Sequence, residues 1–205
     1  MRAGALAFVA AASLVIEWPS VAAEREIALP LAIAVADDAR PDGVRPAQDV
    51  AWIDAQIAEA SRLFGPHGVR FVKTESRAIA ARHAHLETRA DRDALAALLK
   101  SQVINVFVVA SLRDVDEKDR YRMGVCWGPA GQQTSRFVVI SSIAGRSVLA
   151  HELGHYHGLP HSKTRNNVMS YDRDGGEVFF DALQARTIRR SADEYLRAGI
   201  LTPRM

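Results

Sequence analysis

Cysteine is almost absent from this chain of 205 residues, in which Cys126 is the only one. No intramolecular disulfide can form, so an exported protein of this composition must depend on its apolar core or on a bound metal for stability. We interpret Cys126 as a small buried apolar residue, because free cysteines are among the most buried residue types. The alternative is a metal ligand, because thiolates bind metal ions.

Long apolar runs, repeats and clusters of one charge are also lacking beyond the N-terminus. The formal net charge is +2, from 26 basic and 24 acidic residues, and the basic residues are scattered along the chain. We therefore expect no nucleic-acid partner, since such binding needs basic residues clustered on one face. After residue 23 no segment is long and apolar enough to predict a membrane span.

The N-terminus has the pattern of a secretory signal peptide, residues 1–23. Met1-Arg2 gives a positively charged start, Ala3 to Ile16 is an apolar run of 14 residues, and Val21-Ala22-Ala23 supplies small residues for a peptidase. We predict cleavage after Ala23 and a secreted or periplasmic location, with an uncleaved anchor as the alternative. The mature chain has the length of one domain, and we expect a monomer.

Hydrophobic patterning predicts strands that alternate with helices. Four apolar segments have the character of strands: Ile27–Ala36, Val69–Lys73, Val103–Ala110 and Phe137–Ser142. Helical spacing predicts four helices: Gln48–Phe64, Thr88–Lys100, one that starts at Arg146, and Asp181–Ala198. Val103–Ala110 is continuously apolar, which predicts burial on both faces. This order indicates an α/β-like layered domain, with Asp37–Pro46 as a loop.

Eleven residues, His151 to His161, carry the strongest functional signal of the chain. They read H-E-L-G-H-Y-H-G-L-P-H and match H-E-x-x-H-x-x-G-x-x-H, a pattern typical of zinc proteases. His151 and His155 project from one helix face, so they can hold one zinc ion. Glu152 is rotated about 100° around the helix, so it is free to take a proton from water.

The rest of the pattern supplies a turn and a third ligand. Gly158 predicts a left-handed turn that ends the helix, and Pro160 prevents its continuation, so His161 can approach the metal. Three histidine ligands leave one coordination position of the zinc ion open for water, as in catalytic zinc sites. His157 lies about 200° from His155 around the helix, so we expect a polar helix-end residue and no ligand there. The alternative is a surface helix that happens to be rich in histidine.

Together with Asn167-Val168-Met169-Ser170-Tyr171, this pattern resembles the metzincin clan of zinc endopeptidases. The resemblance is local and covers roughly residues 146–171. It implies that Met169 forms the methionine turn of the clan, which packs beneath the metal without binding it. Tyr171 is similar to a tyrosine of the astacin-like and serralysin-like branches, which can ligate zinc in the free enzyme and stabilise the tetrahedral intermediate.

The resemblance also implies a fold and a cofactor. The implied fold is α+β, with a twisted mixed sheet, an active-site helix above the cleft and a small C-terminal helical subdomain. We therefore expect a single catalytic domain, 24–205, divided into an upper subdomain at about 24–158 and a lower one at about 159–205. This domain would hold one catalytic Zn2+.

Two substrate-binding segments are implied by the same resemblance. In the clan, a short antiparallel edge strand binds extended substrate by strand addition. Our candidate is Gly124-Val125-Cys126-Trp127, which Gly128-Pro129 ends. The residue after the cleaved bond is selected between the zinc helix and the loop after Met169, which here gives candidates from Asp172 to Phe180.

The chain departs from the clan patterns in places. Ser162 follows the third histidine, where several branches have an acidic residue, and Tyr171 differs from the proline of the matrixin branch. We therefore assign no family within the clan. The first predicted strand starts at Ile27, shortly after the predicted cleavage site, so we do not expect a long prodomain.

These residues predict a secreted zinc metalloendopeptidase that acts on peptide or protein substrates. Zinc-activated water would attack the scissile carbonyl with Glu152 as general base, and Tyr171 would stabilise the oxyanion. One alternative is a zinc-containing peptide-binding module without proteolytic activity, but such a module would have no need of Glu152. The other is a hydrolase of a non-protein amide.

Overall fold

Eight strands organise the part of the chain that the computed structural model describes, which comprises residues 26–117, 119–128 and 135–203. In chain order they are β1 (Ile27–Arg40), β2 (Gly43–Pro46), β3 (Val69–Ile79), β4 (His85–Leu86), β5 (Ile104–Val109), β6 (Ser111–Leu112), β7 (Gly124–Trp127) and β8 (Phe137–Ser141). The predicted signal peptide, residues 1–23, lies outside the described residues.

Six of these strands form one mixed sheet. β3, β1, β5 and β8 lie side by side in parallel, whereas β7 pairs antiparallel with β8 at one edge. β2 folds back on the end of β1 as an antiparallel hairpin, and β4 and β6 form a separate parallel pair. The prediction of an α+β fold with a twisted mixed sheet is confirmed.

Side-chain caps start three of the α-helices that the structure describes. The helices are α1 (Val50–Phe64), α2 (Arg89–Ala94), α3 (Val148–Tyr156) and α4 (Ala182–Arg197). Asp49 caps α1, and capping boxes of Thr88 with Asp91 and of Asp181 with Gln184 start α2 and α4. None of the described helices is both long and apolar enough to cross a membrane.

The apolar core lies on both faces of the sheet, as β5 illustrates. Ile104, Val106 and Val108 belong to a cluster that includes residues of α1 and α3, whereas Phe107 and Val109 belong to a second cluster. Successive side chains of a strand point to opposite faces, and every residue of β5 is buried. The predicted burial of this strand on both faces is therefore confirmed.

The structure corrects the predicted loop at Asp37–Pro46. β1 runs to Arg40, and a two-residue turn at Pro41-Asp42 leads directly into β2. The residues of β2 are exposed, so the pairing depends on main-chain hydrogen bonds, which leave no apolar periodicity in the sequence. For the same reason the strand that the sequence starts at Val69–Lys73 continues to Ile79 without an apolar pattern that marks its end.

The helix predicted over Thr88–Lys100 is wrong in its second half. α2 ends at Ala94, and a 3-10 helix follows at Leu95–Leu98 before Leu99 becomes extended. Leu95 is fully buried in the second core cluster. Tertiary packing of this leucine and the return of the chain to β5 therefore override the helical propensity of the segment.

α1 holds the start of α3, the helix that carries the histidine pattern. The side-chain Nε2 of Gln56 donates to the carbonyl oxygen of Gly145 at 3.0 Å, and its Oε1 accepts from the main-chain N–H of Leu149 at 3.4 Å. The buried carboxylate of Glu59 pairs with Arg146 at 3.0 Å. These contacts fix α3 at the position where it packs against β7 and β8.

Candidate active site

Three histidines converge at the end of α3. His151 and His155 lie one turn apart on the helix, and His161 approaches from the segment that follows it. The candidate ligand atoms lie within 4.8 Å of one another, and the Nε2 atoms of His155 and His161 are 3.0 Å apart. This arrangement brings three nitrogen donors around one point, as a single zinc ion requires.

Main-chain carbonyl groups orient two of these rings. His151 Nδ1 lies 2.8 Å from the carbonyl oxygen of Val168, and His155 Nδ1 lies 2.8 Å from that of Leu159. A carbonyl only accepts, so each Nδ1 carries the proton and each Nε2 keeps the lone pair that binds metal. Burial lowers the pKa of His151 to about 4 and also lowers the pKa of His155. Both rings are therefore neutral near pH 7, as metal ligation requires.

The chain reverses direction at Gly158, directly after α3. Gly158 has φ +87°, in the left-handed region where a residue with a side chain would be strained. Its N–H donates to the carbonyl oxygen of His155 at 2.9 Å, and the N–H of Leu159 donates to that of Gly154 at 3.0 Å. The same turn thus brings His161 to the other histidines and places the Leu159 carbonyl that orients His155.

Glu152 lies on α3 beside the histidines and faces β7. It is 6% exposed. A Cβ atom on Gly124 would lie 2.8 Å from Cγ of Glu152 and 2.9 Å from its Oε1. Burial raises the pKa of Glu152 to about 8, which a hydrogen bond from the Cys126 main chain and the charge of Arg122 oppose. Glycine at position 124 therefore leaves the space that the Glu152 carboxylate occupies. A nearby metal cation would favour the ionised form of this carboxylate.

Met169 packs under α3 at Gly154. The methionine is fully buried, and a Cβ atom on Gly154 would overlap its Sδ atom. The N–H of Met169 donates to Oδ1 of Asn167 at 2.9 Å, and the amides of Asn167 and Gln184 exchange hydrogen bonds of 2.7 and 3.0 Å. Gln184 belongs to α4, so the C-terminal helix supports the turn beneath the histidines.

Gly154→Ala is expected to lower the free energy of unfolding by about 1–2 kcal/mol. Overpacking a buried contact costs about 1–3 kcal/mol, and alanine gains only about 0.5–1 kcal/mol over glycine inside a helix. Denaturant unfolding of the metal-free protein measures the difference. In a Met169→Ala background the same substitution should no longer destabilise, and a Gly154→Ala protein as stable as the parent would contradict the contact.

Tyr171 stands at the rim of the group. Its hydroxyl lies 2.8 Å from Nε2 of His161, and its ring centroid lies 4.8 Å from that of His161 and 5.6 Å from that of His151. The residue is 70% exposed. The phenol is thus next to the converging nitrogens, with open space into which it can rotate.

The candidate group does not include His157 or Cys126, although both side chains can bind metal ions. His157 ends α3 as expected, but it is 2% exposed and its Nδ1 lies 2.7 Å from Oγ of Ser191. Burial lowers its pKa to about 3. Cys126 is half-buried and packs against the core, and burial raises its thiol pKa to about 12. Neither residue competes for the metal position.

A cleft of about 380 Å³ opens beside the histidines. His151 and Glu152 line it on the helix side, and Met123 and Gly124 line it on the side of β7. Tyr171 stands at its edge. The cleft therefore joins the edge strand to the candidate metal position.

Sequence reasoning placed Gly124 in an edge strand but did not connect it with Glu152, and it gave Gly154 no role. A signal existed for Gly154, because a glycine inside an otherwise apolar helix costs stability and indicates close packing. No comparable signal linked Gly124 to Glu152, which is 28 residues further along the chain.

The donor set fits a zinc ion. The oriented imidazoles of His151 and His155 are neutral, the nitrogen of His161 lies beside them, and the cleft leaves an open side. Three nitrogen ligands with an open position are the arrangement of catalytic zinc sites.

Comparison with solved structures identifies the fold as metzincin-like. A variant of promirolysin from Tannerella forsythia matches with a TM-score of 0.61, at 14% identity, over 85% of this chain and 86% of that one. Metalloproteinase-II from Bacteroides fragilis matches with a TM-score of 0.53, at 12% identity, over 80% of this chain and 53% of that one. No protein-family model and no curated protein sequence matches the chain, and no branch of the clan is assigned.

Proposed function

We propose that this chain is a secreted zinc-dependent endopeptidase that hydrolyses peptide bonds with Glu152 as general base. The observation that carries the proposal is the convergence of three histidine ligand atoms within 4.8 Å of one another, beside a buried glutamate and an edge strand. The metzincin-like fold and the metalloproteinase among the similar structures support the same conclusion.

His151, His155 and His161 would hold the zinc ion, with its open side toward the cleft. When bound, zinc lowers the pKa of water toward ~7 and polarises a carbonyl oxygen. The protein's part is to present neutral imidazoles in fixed orientations, which the carbonyl groups of Val168 and Leu159 provide.

Glu152 would take a proton from the attacking water and deliver it to the leaving amine. Burial makes its carboxylate a stronger base than a solvated glutamate, because desolvation disfavours the charged form. The nearby zinc ion would oppose this shift, so that the carboxyl group can release the proton again to the leaving amine. One carboxylate can therefore serve both steps.

β7 would bind the main chain of an extended substrate. Among the described residues it pairs with β8 on one side only, so its other side is available for strand addition, apart from the Cys126 main-chain hydrogen bond to Glu152. Residues Gly124 to Trp127 would then align the substrate along the cleft that His151 and Glu152 line.

Tyr171 would stabilise the negative charge that develops on the substrate carbonyl oxygen. A hydroxyl donor aimed at that charge is worth most in the transition state, where the charge is largest. The exposure of Tyr171 and its contact with His161 support this role.

The remaining parts of the proposal concern the whole chain. Residues 1–23 would direct export and be removed after Ala23, which the N-terminal sequence pattern supports. Residues 24–205 would form one catalytic domain, with the boundary between its upper and lower subdomains at about residues 158–159.

Removal of metal from the mature chain is expected to abolish cleavage of a peptide library. The protein should bind one zinc per chain by elemental analysis, lose cleavage with a chelator and regain it with added zinc, because the ion supplies the Lewis acidity. His161→Ala should lose the zinc, and the control His85→Ala should keep it. Cleavage by the stripped protein would overturn the proposal, and so would a zinc-loaded protein that cuts no peptide or protein.

A further inference from the structure

Arginine is the most frequent charged residue in the lining of the cleft beside Glu152. Among the residues that the structure describes, four arginines line it: Arg120, Arg122, Arg146 and Arg173. Glu152, the residue proposed as the base, is the only acidic side chain among the described residues that line it. Guanidinium groups therefore surround the space that a substrate side chain would enter, and their ion pairs decide how much of this charge a ligand meets.

Three of these arginines already have carboxylate partners. Arg120 pairs with Glu117 at 3.2 Å, Arg122 with Asp114 at 2.7 Å, and Arg146 with Glu59 at 3.0 Å. These ion pairs offset most of the attraction that the three guanidinium groups could exert on a ligand. The charge that remains available must come from the fourth arginine.

Arg173 has no ion pair with any described residue. Its Nη2 donates to the carbonyl oxygen of Val168 at 2.9 Å, and its Nη1 makes a longer contact of 3.4 Å with that of Asn166. Carbonyl groups orient the guanidinium but do not neutralise it, and partial burial lowers its pKa. Donors of a positioned cation therefore remain for an anion in the cleft.

The position of Glu152 decides which substrate residue the cleft receives. The leaving amine must lie within hydrogen-bond reach of Glu152, which gives it a proton. Glu152 and Val148, one turn earlier on α3, both line the cleft. The side chain next to the leaving amine, which belongs to the residue after the cleaved bond, is therefore the one that enters.

We infer that Arg173 is a specificity-determining residue that selects an acidic side chain, Glu or Asp, immediately after the cleaved bond. The inference rests on the proposed peptidase function and names its substrate class. A carboxylate can form a bidentate pair with a guanidinium, and a lysine or arginine there would be repelled.

Peptides of one scaffold test this inference, with Glu, Gln or Lys after the cleaved bond. Zinc-loaded wild-type protein should cleave the Glu peptide with a kcat/KM about tenfold or more above that of the isosteric Gln peptide, and cleave the Lys peptide most slowly. In Arg173→Gln the Glu-to-Gln ratio should fall to about one, and Arg173→Glu should favour Lys. The control Arg165→Gln, in the same loop but outside the cleft lining, should keep the wild-type ratio.

A binding measurement separates this inference from the proposed function. Labelled Glu and Gln peptides are titrated by fluorescence anisotropy against zinc-loaded Glu152→Gln, with and without Arg173→Gln, and metal content is measured on each sample. Cleavage without a charge preference would overturn the inference and leave the function standing. If wild type cuts nothing, the function fails, and the anisotropy alone decides: tighter Glu binding that depends on Arg173 supports the assignment, and equal binding overturns it.

Discussion

Glu152→Ala is expected to lower kcat/KM for peptide cleavage by about 10²–10⁴-fold, the usual contribution of a general acid–base residue. Zinc should stay bound at one ion per chain, because Glu152 is not among the residues that converge as ligands. The loss should appear in kcat, because the carboxylate takes part in proton transfer and does not bind the substrate main chain. Steady-state kinetics with elemental analysis of the same sample measures both effects.

Two companion variants make the outcome specific. Glu152→Gln keeps the shape of the side chain and removes the base, so it should lose as much activity as Glu152→Ala. Glu59→Gln removes another buried carboxylate, which does not itself line the cleft but pairs with Arg62 and with the cleft-lining Arg146, and it should lower stability more than kcat. Undiminished cleavage by either Glu152 variant would rule out the proposed mechanism.

Gly124→Ala is expected to lower kcat by about 10²-fold, the effect of a catalytic group displaced by about 1 Å. The added methyl group would lie 2.8 Å from Cγ of Glu152, 2.9 Å from its Oε1 and 2.8 Å from Cγ1 of Val148. The buried glutamate must therefore move away from β7. Main-chain groups of the strand keep their positions, so KM should change less than kcat.

A matched control and a rescue accompany this prediction. Gly65→Ala adds a methyl group with no neighbour within 4 Å and at an ordinary φ, so its kcat should equal that of the wild type. Combining Gly124→Ala with Glu152→Asp shortens the carboxylate side chain, so the Gly124 substitution should cost less there than in the wild type. An unchanged kcat for Gly124→Ala would show that the strand does not position the base.

Much of the fold followed from local patterns. The buried strand β5 and the helix α1 lie where apolar periodicity predicts them, because burial selects side chains at regular spacing. The sequence predicted a loop where β1 and β2 form a hairpin. It also predicted a continuous helix where a 3-10 helix lies at Leu95–Leu98. The hairpin is held by main-chain hydrogen bonds between largely exposed residues, and the 3-10 helix depends on the packing of Leu95 in the second core cluster. The spacing of apolar residues records neither of these.

The candidate site also has parts that the sequence predicts and parts that only the tertiary structure shows. His151 and His155 are brought together by helix geometry alone, and the turn at Gly158 needs only a residue that tolerates positive φ. The position of Glu152 against β7 could not be predicted, because it depends on how a strand packs on α3. The buried environment that raises the pKa of Glu152 to about 8 is part of that packing.

The sequence by itself determined the donor set and the candidate base, since the residues from His151 to His161 are positioned by one helix and one turn, which are local structures. Only the tertiary structure decided what surrounds them. Gly124 makes space for Glu152, Met169 fills the space under Gly154, and Arg173 lines the cleft without an ion pair to any residue that the structure describes. The physical reason is that steric fit and unpaired charge arise between segments far apart in the chain, where packing and not periodicity sets the distances.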